Sequence, residues 1–164
     1  MKKIGIFYGS TTGVTADVAR KLGEILGVAS DDIHDVASTA PSAVGDYEIL
    51  VLGTSTWGVG DLQDDWEDYV NGLEVLDLKG KKVALFGCGD ETMSDSFCSG
   101  VGRLYNRLKD TGADFIAPYD TVGYDFNESE AVVDDGVAVG LLLDQVNHPD
   151  LTDSRLHAWA ELIK

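Results

Sequence analysis

Cysteine is scarce in this 164-residue sequence, and long apolar runs are absent. The two cysteines, Cys88 and Cys98, are too few for a disulfide framework and indicate reduced, mostly buried thiols. No apolar run approaches the roughly 18 residues that a membrane-spanning helix needs. The N-terminal apolar run turns polar soon after Tyr8, too early for a secretory signal. We therefore expect one cytoplasmic domain, residues 1–164, with a hydrophobic core of its own.

Positive charge is also scarce. Twelve Lys and Arg residues stand against 29 Asp and Glu residues, which gives a formal net charge of −17. No Lys or Arg lies between Lys21 and Lys79, and five acids fall within residues 61–68. Nucleic acids and anionic membranes are poor partners for such a chain, because they are themselves polyanions. A basic protein surface is its natural complement.

The sequence also lacks the usual catalytic and metal-ligating groupings. His34, His148 and His157 are far apart, and no spacing of His, Cys and carboxylates is typical of a metal site. Neither a Gly-x-Gly-x-x-Gly motif nor a Walker lysine opens the first helix, which disfavours a dinucleotide or a nucleoside triphosphate as ligand. We expect no catalytic residue and no metal.

Apolar runs and helical stripes alternate along the rest of the chain. The apolar runs predict strands at residues 3–8, 32–37, 48–53, 82–87 and 115–119. Helical spacing predicts four helices, with apolar faces at Val14, Val18, Leu22, Ile25 and Leu26; at Leu62, Trp66, Tyr69, Val70 and Leu73; at Phe97, Val101, Leu104 and Leu108; and, after a Thr152 cap, at Leu156, Trp159 and Ile163. This alternation predicts a doubly wound α/β fold with a parallel sheet. The acidic stretch 120–150 is longer than an ordinary connection and indicates an insertion at the last strand.

The loop at residues 9–15 follows the first strand and opens the first helix. It contains four hydroxyl side chains and two glycines, and it has no Lys or Arg. Backbone N–H groups and the helix dipole favour an anion at such a place, and neutral donors suit one monoester phosphate. Helix capping alone is the alternative interpretation.

Two further loops follow the third and fourth strands. Residues 53–61 place Trp57 among Gly and Thr residues, where its flat ring suits stacking on a planar ligand, although core packing is the usual role of Trp. Residues 87–95 begin with Gly87-Cys88-Gly89-Asp90. In a doubly wound sheet, the loops beyond the carboxyl ends of the strands form the ligand site.

These loops resemble those of one family. Ser10-x-Thr12-Gly13-x-Thr15 resembles the S/T-x-T-G-x-T phosphate loop of flavodoxins, and the other two loops resemble their ring-binding loops. The stretches Gly123-Tyr124-Asp125-Phe126-Asn127 and Leu141-Leu142-Leu143-Asp144 resemble the insertion of the long-chain type. The resemblance implies a three-layer α/β/α sandwich around a five-stranded parallel sheet in the order 2-1-3-4-5. It also implies a bound FMN and a low-potential one-electron carrier rather than an enzyme.

The resemblance assigns the FMN contacts to these three loops and their flanks. Ser10, Thr11, Thr12, Gly13, Val14 and Thr15 would wrap the phosphate. Trp57 would stack on one face of the ring and Thr56 would contact the ribityl chain. The peptide at Gly58 would turn toward the flavin N5 and favour a neutral semiquinone. The remaining expected contacts are Thr54, Ser55, Val59, Cys88, Gly89, Asp90, Met93, Asp95, Phe97, Cys98 and Asp144.

Two of these assignments leave alternatives open. Many flavodoxins place a Tyr over the outer flavin face, but the third loop of this sequence has no aromatic residue. Met93 is the best candidate for that face because its thioether can lie against a ring, and Ser94 and Thr92 are the alternatives. Asp144 resembles an acid that approaches the flavin side, or it is a solvated acid that closes an apolar run.

The acids around these loops bear on electron transfer and on partners. Full reduction leaves an anionic flavin, which nearby carboxylates such as Asp61 and Asp90 disfavour, so the second potential should be low. The same acids favour transient complexes between a monomeric carrier and the basic faces of reductases and oxidoreductases. The main alternative is an FMN-dependent quinone or nitro reductase on the same fold. A phosphorylated receiver module would need acids that residues 8–10 and 54–56 lack.

Overall fold

The computed structural model describes residues 2–10, 13–57, 61–90, 97–121, 124, 126, 129–134, 136–145 and 147–163. The strands are β1 (Lys2–Gly9), β2 (Ile33–Asp35), β3 (Tyr47–Trp57), β4 (Asp61–Leu62), β5 (Lys82–Cys88), β6 (Asp114–Phe115), β7 (Tyr119–Asp120), β8 (Val132–Asp134), β9 (Val137–Ala138) and β10 (Gly140–Leu143). The helices are α1 (Val14–Leu26), α2 (Asp64–Glu74), α3 (Ser99–Leu108) and α4 (Pro149–Ile163), with short 3-10 turns on either side of β2 and before β3.

The main sheet has the order β10-β5-β3-β1-β2, and its strands run parallel. The order follows from the sequence, because β1, β3 and β5 are the most continuous apolar runs and therefore take the central positions, buried on both faces. The predicted strand order is confirmed. A short β4 pairs antiparallel with the end of β3.

Two cores flank the sheet. Along β3, Leu50 and Leu52 pack in the core that contains Trp66 of α2, whereas Ile49 and Val51 pack in the opposite core. This alternation is the two-residue period of a strand. Helices α2 and α3 cover the first face, and α1 and α4 cover the second, so the predicted three layers are confirmed. Within the described residues, no helix is long and apolar enough to cross a membrane.

The fifth strand differs from the prediction. Only Asp114 and Phe115 pair with β5, opposite Lys82 and Val83, and the strand does not continue to residue 119. The backbone leaves the extended region at Ala117, where φ is 58°, and the proline that follows has no N–H to offer a sheet. The sheet position is taken up again by β10, which pairs with residues 85–88 of β5. Between the two halves, β7, β9 and β8 form a small antiparallel sheet, which is the predicted insertion.

Three predicted helix starts are also wrong. Phe97 precedes α3, which begins at Ser99 after Cys98. Thr152 does not cap α4, which begins at Pro149; proline suits the first position because its missing N–H has no helical partner there. Thr152 is instead buried in the helix, and its hydroxyl donates to Gln145. Leu62 belongs to β4 rather than to the apolar stripe of α2, which starts at Asp64 after Gln63. The predicted burial of both cysteines as free thiols is confirmed.

Candidate functional site

The predicted loops meet at one edge of the sheet. Gly9 at the end of β1 lies opposite Thr54 in β3, and Thr54 lies opposite Gly87 in β5. Cys88, the last residue of β5, lies opposite Leu143, the last residue of β10. The loops after these strands therefore share the carboxyl edge, where ligands bind in doubly wound sheets.

The first loop contains Gly13, whose backbone conformation favours glycine over any other residue. Gly13 precedes α1 with φ 93° and ψ −6°, which is the left-handed region. Its amide donates to the Ser10 hydroxyl oxygen at 3.0 Å, and its carbonyl accepts the Asp17 amide at 3.0 Å. Ser10 thus supports the turn through an oxygen acceptor, which leaves its O–H available as a donor. Thr11 and Thr12 lie outside the described residues.

Thr15 has the most unusual environment in this loop. The residue is 0% exposed in the first turn of α1, and its hydroxyl has no hydrogen-bond partner of ordinary geometry among the described residues. The neighbouring group is the Cys88 thiol. Burial raises the pKa of that thiol to about 12, the Thr15 hydroxyl opposes the shift, and the Asp144 carboxylate adds to it. Because buried hydroxyls are normally paired, this one is an unused donor at a helix N-terminus.

The first and second loops pack closely on the start of α2. A Cβ at Gly9 would lie 2.3 Å from Gln63 Oε1 and 2.6 Å from Trp66 Cδ1, so glycine is required there for space. The Trp66 indole Nε1 donates to the Gly53 carbonyl at 2.7 Å. The Thr54 hydroxyl donates to the Ser55 carbonyl at 2.8 Å. Trp66 therefore holds the carboxyl-terminal part of β3 next to the first loop.

The second loop is also fastened to helix α3. The Thr56 hydroxyl oxygen accepts the Gly100 amide, in the first turn of α3, at 2.9 Å. Trp57 ends β3 and pairs with Asp61 of β4, so the chain reverses direction between them. The Trp57 side chain and the residues Gly58 and Val59 lie outside the described part of the structure, and their expected contacts stay predictions.

The third loop begins beside β10. The Gly89 amide donates to the Leu143 carbonyl at 2.9 Å, and a Cβ at Gly89 would lie 3.0 Å from both the amide nitrogen and the sulfur of Cys98. Cys98 itself has a left-handed φ of 49°, which is rare for a residue with a side chain. Met93, its alternatives Thr92 and Ser94, and Asp95 lie outside the described residues.

Several predicted site residues place their side chains in the core. Cys88 packs in the α1–α4 core, whereas Phe97 and Cys98 pack in the α2–α3 core. The Phe97 ring lies 5.0 Å from the Phe126 ring and 6.0 Å from the Tyr124 ring, centroid to centroid, so aromatic residues of the insertion pack against Phe97. Any contact of these three residues with a ligand at this edge therefore falls to their backbone.

Asp144 is not a solvated acid. It is 1% exposed, and its two carboxylate oxygens accept the backbone amide of Asn147 at 2.9 Å and the side-chain amide of Asn147 at 2.8 Å. The same Asn147 side chain donates to the Asp90 carboxylate at 2.7 Å. Sequence reasoning missed Asn147; the spacing Asp144-x-x-Asn147 directly after a buried strand was the available signal.

Comparison with known proteins identifies the family. The Flavodoxin family profile matches residues 6–159. Flavodoxin 1 of Shigella flexneri is 41% identical over 160 residues, which cover 97% of this chain and 91% of that protein. The flavodoxin of Synechococcus elongatus is 40% identical over 166 residues, covering 100% of this chain and 97% of that protein.

Solved structures agree with these relatives. A mutant flavodoxin of Fusobacterium nucleatum, solved bound to flavin mononucleotide, superposes with a TM-score of 0.90 at 32% identity and covers 99% of this chain and 95% of its own. The flavodoxin of the same organism, also solved bound to flavin mononucleotide, gives a TM-score of 0.88 at 32% identity over 98% of this chain and 96% of its own. The profile match, the relatives at about 40% identity and the superposed structures show that the chain belongs to the flavodoxin family.

Proposed function

We propose that this protein binds one FMN without a covalent bond and carries single electrons between redox proteins. The observation that carries the proposal is the buried Thr15 hydroxyl, left without a normal partner at the N-terminus of α1, beside a loop with no cationic side chain. Such a donor fits a phosphate oxygen held by neutral groups and backbone amides. When bound, FMN supplies the one-electron chemistry, and the protein supplies binding and electrostatics.

The geometry of Ser10, Gly13 and Thr15 supports the phosphate contacts that we propose for residues 10–15. The amides of Val14 and Thr15 belong to the first turn of α1 and have no carbonyl partner within the helix, whereas the Gly13 amide already donates to the Ser10 hydroxyl oxygen. The hydroxyls of Ser10 and Thr15 add two side-chain donors. Capping by Ser10 and phosphate binding are compatible, because its oxygen serves the turn while its O–H is free to donate.

The proposed ring site lies between the second and third loops. Near the end of β3, Thr54 pairs with Gly87 of β5 and Ser55 pairs with Cys88, so the two loops start side by side. Trp57, Gly58 and Val59 on one side, and Gly89, Asp90, Met93 and Asp95 on the other, are the residues that we propose to enclose the isoalloxazine. For Cys88, Phe97 and Cys98 we propose backbone contacts only.

We further propose that the carrier works at low potential, through a stabilised neutral semiquinone, as one cytoplasmic monomer. The support for the low potential is electrostatic. The net charge of −17 and the carboxylates of Asp90 and Asp144 at this edge disfavour an additional negative charge on the cofactor. The same field attracts the basic faces of redox partners and suits transient docking.

Visible spectroscopy of the purified protein tests the proposal. We expect flavin absorption bands that ultrafiltration does not remove, and a long-wavelength neutral-semiquinone band on stepwise photoreduction. NADH added without a partner protein should leave the flavin oxidised. A colourless protein that does not take up added FMN would refute the proposal, and rapid NADH oxidation with a quinone as acceptor would favour a reductase instead.

A further inference from the structure

Three side chains join the third loop to the connection between β10 and α4. We call this group the Asn147 bridge; it consists of Asp90, Asn147 and Asp144. The Asn147 Nδ2 group lies 2.7 Å from Asp90 Oδ1 and 2.8 Å from Asp144 Oδ2, and the Asn147 backbone amide lies 2.9 Å from Asp144 Oδ1. We propose that Asn147 is a positioning residue that fixes Asp90, at the start of the third loop, in place for binding of the flavin ring, an inference that rests on the proposed FMN function.

The chemistry of the bridge requires an amide at position 147. A carboxamide nitrogen carries two hydrogens, so one Nδ2 group can serve two acceptors at once. Asp144 is 1% exposed, and a buried carboxylate needs donors to offset its lost hydration. Asn147 supplies two donors to Asp144 and gives its remaining hydrogen to Asp90. Removal of the carboxamide would therefore remove the side-chain hydrogen bonds to both carboxylates at once.

The bridge acts at the first residues of the third loop. The Gly89 amide donates to the carbonyl of Leu143, the last residue of β10, at 2.9 Å. Asp90 is the next residue, and its side chain reaches back to the same connection through Asn147. Two successive residues of the loop are therefore fixed to the end of β10, one by backbone and one by side chain. Contacts with the end of β10 and with Asn147 therefore determine the direction in which the third loop leaves β5.

Asn147 is itself well held, although it is exposed. The amide of His148 donates to the Asp144 carbonyl at 3.1 Å, and α4 begins immediately afterwards at Pro149. The two ends of this connection, Asp144 and His148, are thus joined by a backbone hydrogen bond between a buried strand and a long helix. A rigid support of this kind lets one amide position a loop whose own sequence offers few apolar anchors.

Binding of FMN and of riboflavin to the apoprotein, followed by flavin fluorescence, tests the inference. Riboflavin reports the ring site alone because it has no phosphate. We expect Asn147→Ala to weaken both ligands by the same factor, about tenfold. Asn147→Asp keeps the shape, replaces the donor with a third carboxylate and should weaken both ligands at least as much. Asn106→Ala, at an exposed asparagine on α3, is the matched control and should stay within twofold of the wild type.

A second measurement asks whether Asn147 acts through Asp90. In an Asp90→Ala background, the further change Asn147→Ala should have little effect on riboflavin binding, because coupled residues are not additive. In the apoprotein, Asn147→Ala and Asn147→Asp should each speed amide hydrogen exchange at residues 89–90 relative to the amides of β3. A role confined to general stability would move the exchange of both regions together and would overturn the inference.

The outcomes separate this inference from the function on which it rests. A wild-type protein that binds neither flavin overturns both. A wild type that binds FMN while either Asn147 variant binds like Asn106→Ala overturns the positioning role alone. Weaker FMN binding with unchanged riboflavin binding would place the effect at the phosphate, and it would also overturn the role. Equal losses for both ligands, with the Asp90 coupling, support it.

Discussion

Replacing Thr15 with valine removes one hydroxyl and preserves the shape of the side chain. In the wild type this hydroxyl is buried and lacks a normal partner among the described residues. If it donates to the FMN phosphate, its removal costs a hydrogen bond to a charged group, about 1.5–3 kcal/mol. At about 1.4 kcal/mol per tenfold, the FMN dissociation constant should rise by about 10- to 150-fold.

The same substitution should have the opposite sign in the apoprotein. A buried hydroxyl without a partner costs about 1–3 kcal/mol to desolvate, and valine avoids that cost. We therefore expect the apo form of Thr15→Val to be at least as stable as the wild type in urea unfolding. Its interaction with the Cys88 thiol is too weak to reverse this expectation, because thiols are poor hydrogen-bonding groups.

The assay compares two ligands and one control variant. Quenching of flavin fluorescence gives the dissociation constants of FMN and riboflavin at fixed ionic strength; riboflavin binding should not change. Thr111→Val is the control, since the Thr111 hydroxyl is buried and donates to the Leu108 carbonyl at 2.6 Å. That variant should lose about 1 kcal/mol of apo stability without a change in FMN affinity. An unchanged FMN constant for Thr15→Val, or equal losses for both flavins, would refute the assignment.

Three further predictions concern the scaffold. Gly9→Ala places a methyl group against the buried ring of Trp66 and should lower the free energy of unfolding by about 1–3 kcal/mol. Gly45→Ala is the control, because the space around its Cβ is open, and it should not lower the free energy of unfolding. Urea titration measures both. Thr56→Val removes the acceptor for the first turn of α3 and should cost about 1 kcal/mol of stability and weaken FMN binding, as shown by unfolding and fluorescence titration. Burial, assisted by a hydrogen-bonded aspartate, raises the pKa of Tyr47 to about 12. The stability that neutral Tyr47 contributes is therefore intact below pH 10 and is lost as the pH rises toward 12, and Tyr47→Phe should lessen that loss in unfolding measured from pH 9 to 12.

The central sheet could be predicted from the sequence because local and global signals agree there. The runs that form β1, β3 and β5 are apolar on both faces, and only a parallel strand between two helical layers buries such a run. The prediction of the fifth strand was wrong because local and global signals disagree there. Its two halves are separated by the insertion, and the left-handed backbone of Ala117, with φ 58°, is set by its surroundings rather than by its side chain.

The candidate site divides in the same way. The position of the first loop between β1 and α1 could be predicted because its signal is local: hydroxyls and glycines within seven residues at a helix start. The Asn147 bridge could not, because Asn147 and Asp90 are 57 residues apart and only the pairing of β10 with β5 brings them together. The burial of Phe97 under Phe126 likewise depends on where the insertion folds back.

The hydroxyl groups of the site show how binding energy should be divided between ring and phosphate. Thr54 and Thr56 already hydrogen-bond within the protein, and Trp66 holds the exit of β3 through the Gly53 carbonyl. The described parts of the ring loops are thus held in place before any ligand arrives, which lowers the ordering cost of binding. Thr15 differs, because its buried hydroxyl is still available. A phosphate therefore gains a donor whose only competing interaction among the described residues is the weak one with the Cys88 thiol, so FMN should bind more tightly than riboflavin chiefly through the first turn of α1.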